Sequence, residues 1–180
     1  MSGEANTVEQ ARALATSAHE GQRDKIGEAY IHHPAAVASL LVSSPGFGSL
    51  SPSEQEIALA AAWLHDVLED TPLQPEDLES EGFGEKLISV VVALTHLPGE
   101  PRQDYYTRVS ADPLARIVKI ADVAHNSSEE RMRWLDADTR DRLKHKYSVA
   151  STRLLATEEE RIWFANSVSA TPPSSRYVSL

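Results

Sequence analysis

The chain has no cysteine among its 180 residues, which excludes disulfides, thiolate metal sites and a cysteine nucleophile together. That absence fits a cytoplasmic protein, where thiol chemistry is not used for stapling. Long apolar runs are missing too. The longest, Ile57 to Leu64, is far short of the roughly 20 residues that cross a bilayer, so no membrane span is expected. The stretch Met1 to Gln10 holds neither a basic region nor an apolar block, and no secretory leader is expected from it. Positive charge is scarce: 17 Lys and Arg stand against 27 Asp and Glu, a net −10. Such a surface disfavours nucleic acid and anionic membranes. It does not disfavour a small phosphate ligand, because local cations and a metal can reverse the potential inside one cleft. No G-x-x-x-x-G-K-[ST], strand-linked G-x-G-x-x-G or G-x-S-x-G is present, which removes P-loop, Rossmann and nucleophile-elbow readings.

What remains is helical periodicity, with no convincing strand and no repeat of roughly 20–50 residues. Thr7 and Gln10 suggest a capping box ahead of an apolar face at Val8, Ala11, Leu14, Ala15 and Ala18. A polar loop from Gly21 to Gly27 follows, then a helix opened by Pro34 and running to about Val42. Ser43 to Ser51 reads as a flexible connection. Ser51, Pro52 and Glu54 make a strong helix start, and Ile57, Ala60, Ala61, Leu64 and Leu68 form its buried stripe up to Thr71-Pro72. Further helices are expected near Pro75–Ser80, Gly84–Thr95 and Gln103–Val109. Another is opened by Asp112-Pro113 and runs to about Asn126, and one or two cover Asp138–Phe164. Ser167 to Leu180 reads as a mobile tail. The expectation is an all-α single domain over residues 1–166 with a tail at 167–180.

The chemistry concentrates in Leu64-His65-Asp66-Val67-Leu68-Glu69-Asp70-Thr71. Four ionisable groups within six residues end an apolar helix, where unpaired charge is costly. A divalent cation is the simplest compensating partner for imidazole and carboxylates. On one continuous helix His65 and Glu69 share a face, as do Asp66 and Asp70. Two distant groups join as candidates. One is a histidine just before Pro34, where His32 and His33 compete and the backbone is biased to be extended. The other is Asp122, which follows apolar Ile120 and Ala121 and needs a partner if buried.

These segments resemble the HD-domain phosphohydrolases, specifically the hydrolase domain of Rel/Spo-type alarmone enzymes and their small stand-alone relatives. The matching stretches run in family order. They are Ala-His-Glu-Gly-Gln-Arg (18–23), Tyr-Ile-His-His-Pro (30–34), Leu-His-Asp-Val-Leu-Glu-Asp-Thr (64–71), Phe-Gly (83–84), Leu-Thr (94–95) and Val-Lys-Ile-Ala-Asp-Val-Ala-His-Asn (118–126). The resemblance implies an HD-domain helical bundle. It also implies one divalent ion on His33, His65, Asp66 and Asp122, with His32 a bystander; ligand chemistry suits Mn²⁺, Fe²⁺ or Zn²⁺ about equally, and the resemblance selects Mn²⁺. Such an ion acidifies water and polarises a phosphate oxygen. By the same resemblance, Glu69 and Asp70 position that water or take its proton. Arg23, Lys25, Lys119, Asn126 and Tyr147 face a small nucleotide, guanosine 3′,5′-bis(diphosphate) or its pentaphosphate. Water then releases pyrophosphate from the 3′ position. A chain of this length leaves no room for a synthetase domain, so hydrolysis alone is expected; no oligomeric state is assigned.

Three positions depart from the family's pattern. Asp24 stands where many relatives carry a second basic residue, Ser127-Ser128-Glu129 follows Asn126, and His96 replaces the usual lysine after Thr95. All three touch substrate recognition rather than the metal set. A carboxylate at position 24 would repel phosphate, which favours a second reading, an HD phosphohydrolase for another nucleotide. A third reading is a non-catalytic nucleotide-sensing module.

Overall fold

The computed structural model describes residues 7–170, and among these there is no strand, only an isolated antiparallel bridge between Arg23 and Ala29. In chain order the helices are α1 (Thr7–Ala18), α2 (His32–Val42), α3 (Pro52–Leu64), α4 (Val67–Asp70), α5 (Pro75–Ser80) and α6 (Glu85–Leu94). They continue with α7 (Arg102–Ala111), α8 (Pro113–Ser127), α9 (Glu129–Met132), α10 (Ala137–Leu154) and α11 (Glu158–Ser169). None is long and apolar enough to cross a membrane.

Helix α8 is the axis of the bundle. It packs against α2, α3, α6, α7, α10 and α11, while α1 lies on α3. Its sequence explains this position: Leu114, Ala115, Ile117, Val118, Ile120, Ala121, Val123 and Ala124 are all buried, so apolar surface wraps most of the helix. Asp112 starts it, its Oδ1 accepting the Leu114 and Ala115 amides at 2.9 and 3.0 Å. Pro113 takes the first helical position, where no amide hydrogen is needed. In α3 the run Ala60-Ala61-Ala62 is fully buried; small side chains let α2 and α8 approach closely. The Ser51–Glu54 capping box forms as the sequence predicts.

Several local expectations are corrected. Gln10 donates to the Glu81 carbonyl and the Thr7 amide donates to Glu56 Oε1, so tertiary partners replace the expected Thr7–Gln10 box. The Ser43–Ser51 connection contains a 3-10 turn at Phe47–Ser49, pinned by the buried Phe47 ring. Helix α7 begins at Arg102 and α9 was not foreseen. The Asp138–Phe164 stretch resolves into two helices, α10 and α11, divided where Glu160 turns back on the chain. Its Oε2 accepts the Ala156 and Thr157 amides. Helix α11 continues to Ser169, past the expected start of the tail; residues 171–180 lie outside those described.

Candidate metal centre and cleft

The predicted single helix through Leu64 and Leu68 is interrupted at His65 and Asp66. The Ala62 carbonyl, which a continuing helix would pair with the Asp66 amide, takes the His65 imidazole, with Nδ1 at 2.8 Å. Asp66 settles at φ −107° and ψ −4°, and α4 restarts with the Asp70 amide donating to the Asp66 carbonyl at 2.9 Å. His33 lies in the first turn of α2 and is not extended. Pro34 is tolerated so early because first-turn amides lack helical partners anyway.

These elements bring four ligand-type atoms together from two helices, α2 and α8, and the turn between α3 and α4. His65 Nε2 lies 2.9 Å from Asp66 Oδ2 and 3.8 Å from Asp122 Oδ1. His33 Nε2 lies 3.2 Å from His65 Nε2, 3.5 Å from Asp66 Oδ2 and 3.1 Å from Asp122 Oδ1. Neighbouring ligands of an ion with bonds of about 2.1 Å sit roughly 3.0–3.4 Å apart, so the spacing of His33, His65 and Asp66 suits one cation, with Asp122 placed beside His33. The tautomers fit as well. His65 Nδ1–H donates to Ala62, leaving its Nε2 lone pair for the ion. His32 lies outside the cluster.

Electrostatics point the same way. Burial opposes charge on His65, Asp66 and Asp122. Even so, the His65 proton is held to about 9 by the Asp66 carboxylate. Burial likewise works against ionised Asp66 and Asp122, but His65 in the first case and Lys119 in the second draw both below the usual carboxylate range. With neutral imidazoles, two carboxylates and the Lys119 ammonium leave one uncompensated negative charge. A divalent ion would turn that into a net positive charge suited to a phosphate.

Around this centre opens a cleft of about 580 Å³. Glu69 and Asp70 are exposed at its mouth. Glu69 Oε2 accepts the His96 amide at 3.2 Å. The Tyr30 hydroxyl lies 2.6 Å from Asp66 Oδ2 and 2.9 Å from Asp70 Oδ2. Burial and then Asp66 raise its pKa strongly, so it stays a donor. Arg23, Lys25, Lys119, Asn126 and Tyr147 all line the cleft. Two of them also engage Asp122. Lys119 Nζ is paired with Asp122 Oδ2 at 2.7 Å, and Asn126 Nδ2 donates to Asp122 Oδ1 at 2.5 Å. Both therefore bind the Asp122 carboxylate from the cleft wall.

Asp24 is also corrected. Its Oδ1 accepts the Ile26 and Glu28 amides at 3.0 Å each, and its Oδ2 pairs with Arg131 Nη1 at 2.8 Å. Gly27, at φ +84°, makes the turn that allows this; a side chain there would cost about 1–2 kcal/mol. Sequence reasoning missed Tyr30, Arg131 and His125, whose Nδ1 lies 2.7 Å from His33 Nδ1. His125 was findable, being three residues after Asp122 on one helix face. Arg131 offered no local signal.

An all-helical bundle with a buried His/Asp set beneath a cleft is the class these features define. The chain belongs to the HD-domain family: the family model described as "HD domain" matches residues 11–133. It is 34% identical over 140 residues to a probable guanosine-3′,5′-bis(diphosphate) 3′-pyrophosphohydrolase of Synechocystis, covering 68% of this chain and 17% of that protein. It is 31% identical over 179 residues to the bifunctional (p)ppGpp synthase/hydrolase SpoT of Escherichia coli, covering 87% and 24%. The chain thus spans about a fifth of the length of these curated relatives. A solved structure described as a metazoan ortholog of SpoT that hydrolyses ppGpp shares the fold, with TM-score 0.72, 20% identity and coverage of 93% and 96%.

Proposed function

We propose that this chain hydrolyses guanosine 3′,5′-bis(diphosphate) or its pentaphosphate, releasing pyrophosphate from the ribose 3′ position, with Mn²⁺ on His33, His65, Asp66 and Asp122. The observation that carries this reading is the cluster of His33, His65 and Asp66 at the floor of the cleft, with Asp122 Oδ1 at 3.1 Å from His33 Nε2 and 3.8 Å from His65 Nε2. The names of the curated relatives support the nucleotide. A mixed imidazole and carboxylate set suits Mn²⁺, Fe²⁺ or Zn²⁺ about equally, the resemblance to alarmone hydrolases favours Mn²⁺, and a cytoplasmic setting suits a chain without cysteine. The ion supplies Lewis acidity toward a phosphate oxygen and lowers the pKa of water.

The protein's own groups do the rest. Glu69, with Asp70 beside it, accepts the proton of the attacking water as its oxygen bonds to phosphorus and the bond to the 3′ oxygen breaks. That oxygen leaves as a hydroxyl after taking a proton from solvent. Tyr30 ties Asp70 to the ligand Asp66, while Arg23, Lys25 and Tyr147 hold the nucleotide. The reading in favour of a different nucleotide drew on Asp24 as a repelling charge. Its carboxylate is spent on Arg131 and two amides, so that support is lost. The test is purified protein with Mn²⁺ and a nucleotide panel, with pyrophosphate and orthophosphate measured separately. Pyrophosphate from the alarmone supports the reading; orthophosphate alone, or turnover only of another nucleotide, overturns it.

A further inference from the structure

The cations of this acidic chain are unevenly used. In the cleft, Lys119 is neutralised by Asp122 and Arg131 by Asp24. Lys25, Arg102 and Lys146 line the same space, and among the described residues none of them has a carboxylate within ion-pair reach. Lys146 is the most telling. It is half-buried on α10, with Nζ 5.3 Å from the centre of the Tyr147 ring, and it has no hydrogen-bond acceptor among the described residues. An ammonium withdrawn from water and left unpaired costs free energy. Burial lowers its pKa, and the Arg102 and Lys119 charges lower it further. Like charges gathered without a counter-ion are destabilising until an anion joins them. The cleft therefore carries, besides the His/Asp set and Glu69, cations from α7, α10 and the polar loop that no carboxylate pairs with among the described residues.

We propose that Arg102 and Lys146, together with Lys25, form a second phosphate subsite that binds the phosphate arm not being cleaved. This rests on the hydrolase reading and extends it. The enzyme distinguishes nucleotides with two separate phosphate arms from those with one, and it does so through cleft cations that are not paired with the His/Asp set. Arg102 supplies a forked set of donors and Lys146 a point charge. Occupation of the subsite removes the repulsion that the free protein carries.

The test compares wild type with Arg102→Ala and Lys146→Met, using Arg102→Lys and Lys146→Arg as charge-preserving controls. Two readouts are needed. In the first, KM for guanosine 3′,5′-bis(diphosphate) rises about tenfold in each charge-removing variant while kcat moves less than about threefold, as expected for loss of a charge-assisted contact away from the chemistry. For guanosine 3′-diphosphate, which lacks the 5′ arm, kcat/KM changes by less than about twofold. The second readout is calorimetric binding of guanosine 5′-diphosphate against guanosine by the purified, Mn²⁺-supplied protein. Wild type prefers the diphosphate, the charge-removing variants lose about tenfold of that preference, and the controls restore most of it. Equal loss on one-arm and two-arm substrates, or an unchanged diphosphate preference, overturns the subsite. If wild type hydrolyses neither nucleotide, the hydrolase reading falls, and the binding comparison still decides the subsite on its own.

Discussion

The Nδ1 atoms of His33 and His125 lie 2.7 Å apart, so one ring donates and the other accepts. An ion on His33 Nε2 leaves its proton only at Nδ1, which makes His33 the donor. His125 must then be neutral, with its own proton on Nε2. Burial, followed by the His33 charge, pushes the His125 pKa well below its ordinary value, in keeping with an acceptor. The two rings are stacked at 21° with centroids 5.0 Å apart, so the contact also fixes how His33 is turned.

His125→Phe keeps the ring volume and removes the acceptor. It should weaken Mn²⁺ binding by about 10–100-fold, the usual cost of losing a group that orients a metal-bound histidine. Titration of metal into stripped protein measures this. Unchanged affinity would leave His125 with a packing role only.

Asp24→Arg separates the sequence expectation from the structural one. Sequence alone favours tighter substrate binding from an added cation. The structure shows that the substitution breaks the pair with Arg131 and two loop caps. It should lower stability by about 1–3 kcal/mol and raise KM, because the loop carrying Arg23 and Lys25 loses its anchor. Melting curves and KM for the alarmone decide; a lower KM with unchanged stability would contradict the anchoring role.

Glu69→Gln leaves the four ligands intact. Metal content should therefore stay near wild type while kcat falls by about 10²–10⁴-fold, the range for a positioned acid or base. Wild-type turnover in this variant would return Glu69 to the ordinary surface.

Acid stability should depend on Glu160. Arg116 Nη2 reaches its two oxygens at 2.8 and 2.6 Å, tying α11 to α8. Burial opposes ionisation, but the Arg116 hydrogen bonds and two backbone amides outweigh it, so the folded pKa is lowered. A lowered carboxylate pKa contributes stability that is fully present above the unfolded value, about 4.3, and is lost as pH falls through the folded value. Glu160→Gln should remove that part of the acid limb in urea melts and lower neutral-pH stability by about 1–3 kcal/mol. An unchanged pH slope would place the dependence elsewhere.

Helix starts were readable because their causes are local. Ser51-Pro52 and Asp112-Pro113 carry their caps within three residues. The four proposed ligands were named by resemblance, and their approach needed only that α2, α3 and α8 pack together. The break at His65 was not readable, since a buried imidazole taking the Ala62 carbonyl decides it. Nor was the fate of Asp24. Its partner Arg131 lies 107 positions away, and the short helix that presents Arg131 has no periodicity to reveal it. Lys119, expected by resemblance to face the nucleotide, lies three residues before Asp122, and on one helix face that spacing also makes it the carboxylate's counter-ion.

The central claim is metal-dependent release of pyrophosphate from the 3′ position by the His33, His65, Asp66 and Asp122 set. The most direct measurement follows pyrophosphate and guanosine 5′-diphosphate from guanosine 3′,5′-bis(diphosphate), with Mn²⁺, after chelation, and in Asp66→Ala. The two products should appear in equal amounts, vanish on chelation, return with Mn²⁺, and stay absent in Asp66→Ala together with the bound metal. Equal turnover by Asp66→Ala and wild type, or turnover that survives chelation, would contradict it.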